Sequence, residues 1–147
     1  QWKPNVTVAA VVERNGSFLL VEEQTTEGLL YNQPAGHLEA GESLLDAVIR
    51  ETLEESAWRF TPTELVGVYQ YHQAASGITY LRFAFTGELA DHDAGRKLDT
   101  GIVRALWMPL AEIRASRAQH RSPLLIQCVD DYLAGRRHPL DLLHYFN

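Results

Sequence analysis

The chain has 147 residues, 46% of them hydrophobic, a size that fits one domain with one sizeable core. Its formal net charge is -6, and no basic run is longer than Arg136-Arg137, so duplex nucleic acid is disfavoured as a partner. A small phosphorylated ligand is still compatible with this charge, because a divalent cation can offset the charge of the phosphates. The single cysteine excludes an internal disulfide, no apolar run approaches the ~20 residues of a membrane span, and no signal-peptide pattern opens the chain, so we expect a cytoplasmic protein with no membrane partner.

The N-terminal part of the chain predicts a β-hairpin. Residues 5–13 and 17–24 are rich in β-branched and apolar side chains, and Asn15-Gly16 between them is a strong hairpin signal. We expect these two runs to pair with each other as antiparallel strands.

A helix is predicted to begin near Leu44, because Ser43 and Asp46 have the spacing of a capping box. At about 100° per residue, an apolar stripe falls on one side and three glutamates fall on a neighbouring arc. The stripe consists of Leu45, Val48, Ile49 and Thr52, and the arc of Glu51, Glu54 and Glu55.

The rest of the chain predicts strands and then a helix. Residues 64–73 and 78–89 form a second hairpin pattern, residues 91–100 are a polar loop, and residues 102–108 resume as a strand. Ser122-Pro123 begins a C-terminal helix that runs until Gly135. This order of strands, helix, strands and helices predicts an α/β fold of the α+β kind.

The three clustered glutamates need a compensating cation, because like charges at this spacing destabilise an isolated helix by a few tenths of a kcal/mol per pair. Arg50 neutralises only part of this charge. Hard oxygen ligands suit Mg²⁺ or Mn²⁺. The alternative is a solvated acidic helix face, which the preceding loop with Pro34, Gly36 and Gly41 makes less attractive.

The stretch GHLEAGESLLDAVIRETLEESAW, residues 36–58, resembles the Nudix box, GX5EX7REUXEEXGU with U an aliphatic residue. Thr52 and Trp58 depart from the aliphatic positions, and Ala57 stands where the pattern has glycine. A left-handed Ala57 would cost about 1 kcal/mol, so we expect the helix to end differently here. The resemblance implies one Nudix domain over residues 1–147, with an α/β/α sandwich in which a mixed sheet lies between helices.

The resemblance also implies the roles of the box residues. Glu51, Glu54 and Glu55 match metal-binding glutamates, Arg50 matches the arginine that orients them, and Glu42 matches the residue that holds this arginine; Gly36 opens the box. Glu51 or Glu54 is then the expected general base. Asp99 is the alternative base, although a plain solvated acid in a loop fits its position equally well.

Segments outside the box resemble the bacterial NudJ-type subgroup: KPNVTVAAVVE, YNQPAGHLE, LRFAF, RSPLL and GRRHPL. The implied activity is Mg²⁺-dependent hydrolysis of nucleoside diphosphates, nucleoside triphosphates and thiamine-pathway pyrophosphates, by a monomer or homodimer. Hydrolysis of damaged nucleotides or dinucleotides is an alternative. A second alternative is a domain that binds phosphorylated ligands without catalysis.

Residues outside the box are candidates for substrate contacts. Aromatic rings could stack on a base, and polar side chains could contact phosphates or other polar groups, although packing in the core or on the sheet is the competing interpretation for each aromatic residue. The candidates are Tyr31, Gln33, His37, Tyr71, Arg82 and Asp99, with Tyr69 as a further aromatic residue.

Overall fold

Two β-sheets and three α-helices make up the fold in this computed structural model, which describes residues 1–147. Five strands precede the first helix, three more precede the other two helices, and the ninth strand follows them. The strands are β1 (Asn5–Ala10), β2 (Glu13–Arg14), β3 (Ser17–Thr25), β4 (Gly28–Asn32), β5 (Ala35–His37), β6 (Trp58–Gln73), β7 (Ile78–His92), β8 (Ile102–Pro109) and β9 (His138–Pro139). The helices are α1 (Leu44–Ser56), α2 (Leu110–Ala115) and α3 (Leu124–Leu133).

The larger sheet has five strands in the order β5-β1-β7-β6-β9. Its central pair, β1 and β7, is parallel, and the other pairs are antiparallel, so the predicted mixed sheet is confirmed. In the smaller sheet, β3 pairs with β8 along one edge and with β2 and β4 along the other.

The predicted N-terminal hairpin is wrong in its extent. Only β2, next to the Asn15-Gly16 turn, continues the pairing with β3, where Glu13 faces Phe18. The preceding strand β1 pairs instead with β5 and β7 in the other sheet. The physical reason is that the consecutive residues Val8, Ala9 and Ala10, whose side chains alternate between the two faces, are completely buried, as expected of a strand covered on both faces and paired at both edges. The second predicted hairpin is confirmed, because β6 and β7 pair along their whole length.

Two hydrophobic clusters lie on opposite faces of the strands. On one face, Val48 of α1 packs in a cluster with Leu19 and Phe85. On the other face, α2 and α3 pack in a cluster with Phe18 and Leu20. Neighbouring residues of β3 therefore serve different clusters, because side chains alternate across a strand. Helices cover both faces, which confirms the α/β/α sandwich. No helix combines the length and apolarity that crossing a membrane requires.

Helix α1 begins as predicted but differs in its buried face and in its end. The Ser43 hydroxyl accepts a hydrogen bond from the Asp46 N–H at 3.1 Å. Ile49 is 40% exposed, so the buried stripe shifts from the predicted side toward Ala47, Val48 and Thr52. The Thr52 hydroxyl can be buried because it donates to the Val48 carbonyl at 2.7 Å.

The expectation that the helix would avoid a left-handed end at Ala57 is wrong. Ala57 has φ 63° and ψ 14°, and its N–H donates to the Leu53 carbonyl at 2.9 Å. Its own carbonyl accepts the Asp93 N–H at 2.9 Å. The residue is buried, so these surroundings hold a conformation that costs an alanine about 1 kcal/mol.

Candidate active site

Arg50 joins the loop before α1 to the carboxylates of the helix. Its Nε and Nη2 donate to the two carboxylate oxygens of Glu42, at 3.0 and 2.7 Å. Its Nη1 donates to Glu51 at 2.8 Å and to Glu54 at 2.9 Å. The remaining Nη2 hydrogen goes to the His37 carbonyl at 3.0 Å. A guanidinium has five N–H groups, and all of them are used within the protein. Arg50 therefore positions carboxylates and has no donor left for a substrate.

Gly36 on β5 allows Glu51 to reach its position. A Cβ built on Gly36 would overlap the carboxylate oxygen and Cδ of Glu51. Because any side chain at position 36 would occupy this space, the carboxylate of Glu51 lies directly against the strand backbone. This contact packs helix α1 against strand β5 at the start of the box.

Asp99 joins Glu51 and Glu54 from a distant part of the sequence. The loop before β8 is tied to α1, since the Asp99 N–H donates to the Glu54 carbonyl at 3.0 Å. One carboxylate oxygen from each of Glu51, Glu54 and Asp99 lies within 4.8 Å of the others. Clustered oxygen ligands of this kind fit a hard divalent cation such as Mg²⁺ or Mn²⁺.

Glu55 lies apart from this cluster but lines the same cleft as Glu51. Its Oε1 accepts the backbone N–H of Ala35 at 2.9 Å, and only 8% of the residue is exposed. The strand β5 therefore contacts two glutamates of α1, one at Gly36 and one at Ala35.

The acidic residues differ in how readily they ionise. Burial raises the pKa of Glu51 to about 7 against the opposing effect of Arg50, and burial raises the pKa of Glu55 to about 8 against the Ala35 N–H. The hydrogen bond from Arg50 holds the pKa of Glu42 below its usual range. Glu42 thus stays ionised to hold Arg50, while the two buried glutamates carry negative charge at neutral pH only at a cost that a cation would offset.

A cleft of about 430 Å³ extends from the glutamates along the face of the larger sheet. Three of the predicted substrate contacts line it: His37, Tyr71 and Arg82. Tyr71 is stacked with Tyr80 of the neighbouring strand, with ring centroids 6.5 Å apart and an interplanar angle of 16°. The cleft thus combines acidic, aromatic and cationic side chains.

The other predicted contacts lie elsewhere. Gln33 is 1% exposed and is absent from the cleft lining, since its amide donates to the Leu125 carbonyl at 2.9 Å. Tyr31 also lies outside the lining and packs against the core cluster that contains Phe18. The Tyr69 hydroxyl donates to Asp131 at 2.7 Å.

Several lining residues were not among the predicted substrate contacts. They come from the first strand, from the β3–β4 region and from the segment before α3, and include Thr7, Glu23, Asn32, His120, Arg121 and Ser122. The charge of Arg121 is already neutralised by Glu23, because Arg121 Nη1 lies 2.7 Å from the Glu23 carboxylate. Only the pairing of distant strands brings these side chains together.

The fold and the glutamates positioned by Arg50 correspond to one class of enzymes. The sequence matches the NUDIX domain family over residues 2–128, and the chain belongs to this family of hydrolases. Phosphatase NudJ of Escherichia coli strain K12 is 38% identical over 146 residues, which cover 99% of this chain and 94% of that protein. The predicted similarity to the NudJ-type subgroup is therefore confirmed.

Solved structures agree with this assignment. A NUDIX hydrolase from Nitrosomonas europaea has a TM-score of 0.96 and 54% sequence identity, with 98% of each chain covered. The NUDIX domain of NrtR from Shewanella oneidensis, crystallised with ADP ribose, has a TM-score of 0.73, with 92% of this chain and 90% of that chain covered. At 19% identity the second likeness concerns the fold alone.

Proposed function

We propose that residues 1–147 form a single Nudix domain that hydrolyses a phosphoanhydride bond in small organic diphosphates and triphosphates. Mg²⁺, or Mn²⁺ in its place, is the proposed cofactor. Its proposed ligands are Glu51 and Glu54 of the cluster, together with Glu55, which lies outside the cluster but lines the same cleft as Glu51. The observation that carries this proposal is the cluster of Glu51, Glu54 and Asp99, which Arg50 and the tied loop hold together.

The proposed reaction is attack of water on phosphorus, with cleavage of the P–O bond of the anhydride. A bound divalent cation would supply neutralisation of phosphate charge and a lower pKa for the attacking water. A carboxylate oxygen of Glu51 or Glu54 accepts the proton of this water, and Asp99 is the alternative base because its carboxylate belongs to the same cluster. Arg50 contributes by fixing the orientation of the first two carboxylates.

The proposed substrates are nucleoside diphosphates, nucleoside triphosphates and thiamine-pathway pyrophosphates. Two features support a heteroaromatic organic group attached to the phosphates. The NudJ relative is a phosphatase, which supports the phosphates, and the stacked Tyr71 and Tyr80 give the cleft an aromatic wall, which supports the heteroaromatic group. Damaged nucleotides and dinucleotides remain the alternative substrates.

The test is release of phosphate or pyrophosphate from a panel containing all of these substrate classes, with Mg²⁺ and with a chelator. We expect metal-dependent release that Glu54→Gln lowers by about 10²-fold or more, because the change removes a charge and preserves the shape of the side chain. Glu112→Gln on α2 is the matched control, since Glu112 is exposed and lies outside the cleft. Full activity in chelator, or in a folded Glu54→Gln protein, would contradict the proposal.

A further inference from the structure

Arg82 is a buried cation in the wall of the cleft. It lies on β7, it is 5% exposed, and it lines the cleft together with Tyr71 and Tyr80. Its protein acceptors are neutral: Nη1 donates to Gln33 Oε1 at 2.9 Å and lies 3.9 Å from Cys128 Sγ, and Nη2 donates to Asn32 Oδ1 at 3.0 Å.

The charge of Arg82 is not compensated by the protein. No carboxylate lies within 4.0 Å of its guanidinium nitrogens, whereas both Arg50 and Arg121 have such partners. Its Nε is the one buried side-chain nitrogen or oxygen of the chain without a hydrogen-bond partner. Because an arginine stays charged when it is buried, an anionic ligand in the cleft would compensate a charge that the protein leaves unpaired.

The guanidinium is also held in a fixed orientation. Gln33, which accepts from Arg82, is itself anchored by its donation to the Leu125 carbonyl at 2.9 Å. Asn32 holds the other terminal nitrogen from the end of β4. A planar donor fork that is oriented before the ligand arrives favours a tetrahedral or planar oxyanion over a neutral group.

We propose that Arg82 binds a phosphate group of the substrate in the cleft. This inference rests on the proposed function, because it takes the anion to belong to the hydrolysed molecule. The glutamates act at the anhydride bond that is hydrolysed, and Arg82 on β7 binds anionic oxygens of a phosphate group at the wall of the cleft. Gln33 and Asn32 act through Arg82 as positioning residues.

The experiment uses the metal-free protein, so that binding through a cation is removed. Thermal unfolding is followed in chelator with increasing inorganic pyrophosphate at constant ionic strength. We expect a saturable rise in Tm for the wild type and a loss of about 10- to 100-fold in pyrophosphate affinity for Arg82→Met, the range expected for charge-assisted hydrogen bonds. The matched control is Arg114→Met, since Arg114 is exposed and paired with Asp130 outside the cleft.

An Arg82→Met protein that binds pyrophosphate like the wild type would overturn the inference, as would the absence of any shift in the wild type. If Arg82→Met does not fold, Arg82→Lys takes its place, because the charge is kept and the planar fork is lost. A weaker shift in Arg82→Lys supports the inference, and an unchanged shift overturns it.

Kinetics and one further variant separate this inference from the proposed function. With a hydrolysed substrate, loss of Arg82 should raise KM by about 10-fold or more with little change in kcat, since the contact exists before reaction. Glu54→Gln should lose turnover and keep the pyrophosphate shift in chelator. A protein that hydrolyses nothing but shows the Arg82-dependent shift contradicts the proposed function alone, and a hydrolase without this dependence contradicts the inference alone.

Discussion

Gly36 is the residue at which the smallest chemical change should disturb the site most directly. A single methyl group there overlaps the Glu51 carboxylate, so Gly36→Ala must displace either the helix or this side chain. We expect kcat/KM to fall by about 10²-fold, the effect of an error of about 1 Å in a catalytic group, while circular dichroism shows an intact fold. Gly95→Ala is the control, because a Cβ at Gly95 comes no closer than 4.0 Å to another atom. Equal activity of both variants would argue against the contact.

Arg50 should not tolerate even a charge-conserving replacement. A lysine has three donors and no planar fork, so Arg50→Lys cannot hold Glu42, Glu51 and Glu54 together as the five hydrogen bonds of the arginine do. We expect metal affinity or turnover to fall by about 10- to 100-fold, as measured by titration with Mn²⁺ and by steady-state kinetics. Arg114→Lys, at an exposed ion pair, should behave like the wild type in both measurements. Wild-type metal affinity and kinetics in Arg50→Lys would show that charge alone is sufficient.

At the scale of the elements, the N-terminus of α1 should contribute to stability and not to chemistry. Ser43→Ala removes the acceptor of the Asp46 N–H, which should lower the free energy of unfolding by about 1 kcal/mol. Urea titration measures this change, and kcat of the folded protein should stay within about twofold of the wild type because the helix remains packed by its buried face. A loss of activity much larger than the loss of stability would indicate that the cap also orients the carboxylates.

The elements that the sequence predicted correctly are those specified by neighbouring residues. Ser43 and Asp46 determine the start of α1 through a local hydrogen bond, and the spacing of the box predicted residues that Arg50 does bring together. The partners of β1 were missed because Asn15-Gly16 specifies a turn and not how far the pairing continues beyond it. Ala57 was mispredicted for a similar reason, since contacts from the loop at Asp93 outweigh its local preference.

The residues around Arg82 in the cleft were less predictable from the sequence than the glutamates of α1. Gln33 was predicted to contact substrate, but its amide joins Arg82 to α3, and this role depends on a helix far along the chain. Asn32 was not predicted at all, because its contact to Arg82 exists only once β4 and β7 have been placed in their separate sheets. A local pattern can predict which carboxylates of a helix gather around Arg50, but not which side chains line a cleft between distant elements.

For the molecule as a whole, burial of Glu51 and Glu55 makes metal-free stability depend on pH. Their folded pKa values of about 7 and about 8 exceed the ordinary value of 4.5, so the folded state binds more protons than the unfolded state between these limits. This contribution to stability is complete below about pH 4.5 and is lost as the pH rises through about 7 to 8. We expect chemical denaturation in chelator to show a falling free energy of unfolding over this window, and Mg²⁺ to reduce the fall.

A variant isolates this effect from other titrating groups. Burial lowers the pKa of His120, which gives the opposite slope at lower pH. The difference between the wild type and Glu55→Gln removes the His120 contribution, because both proteins contain it. This difference should change with pH between about 4.5 and 8 in chelator. A pH-independent difference would mean that the pKa of Glu55 in the folded protein is not above its ordinary value.

The parallel pairing of β1 with β7 determines when an active enzyme first exists during synthesis. A ribosome releases the whole stretch 36–58 well before Ile78–His92, and β1, which holds β5 and therefore Gly36, has no second partner until that later strand arrives. Asp99 emerges later still. A nascent chain therefore contains the complete stretch 36–58 before the strand that holds β1 has been made, and we expect prematurely terminated products to be inactive although this stretch is complete.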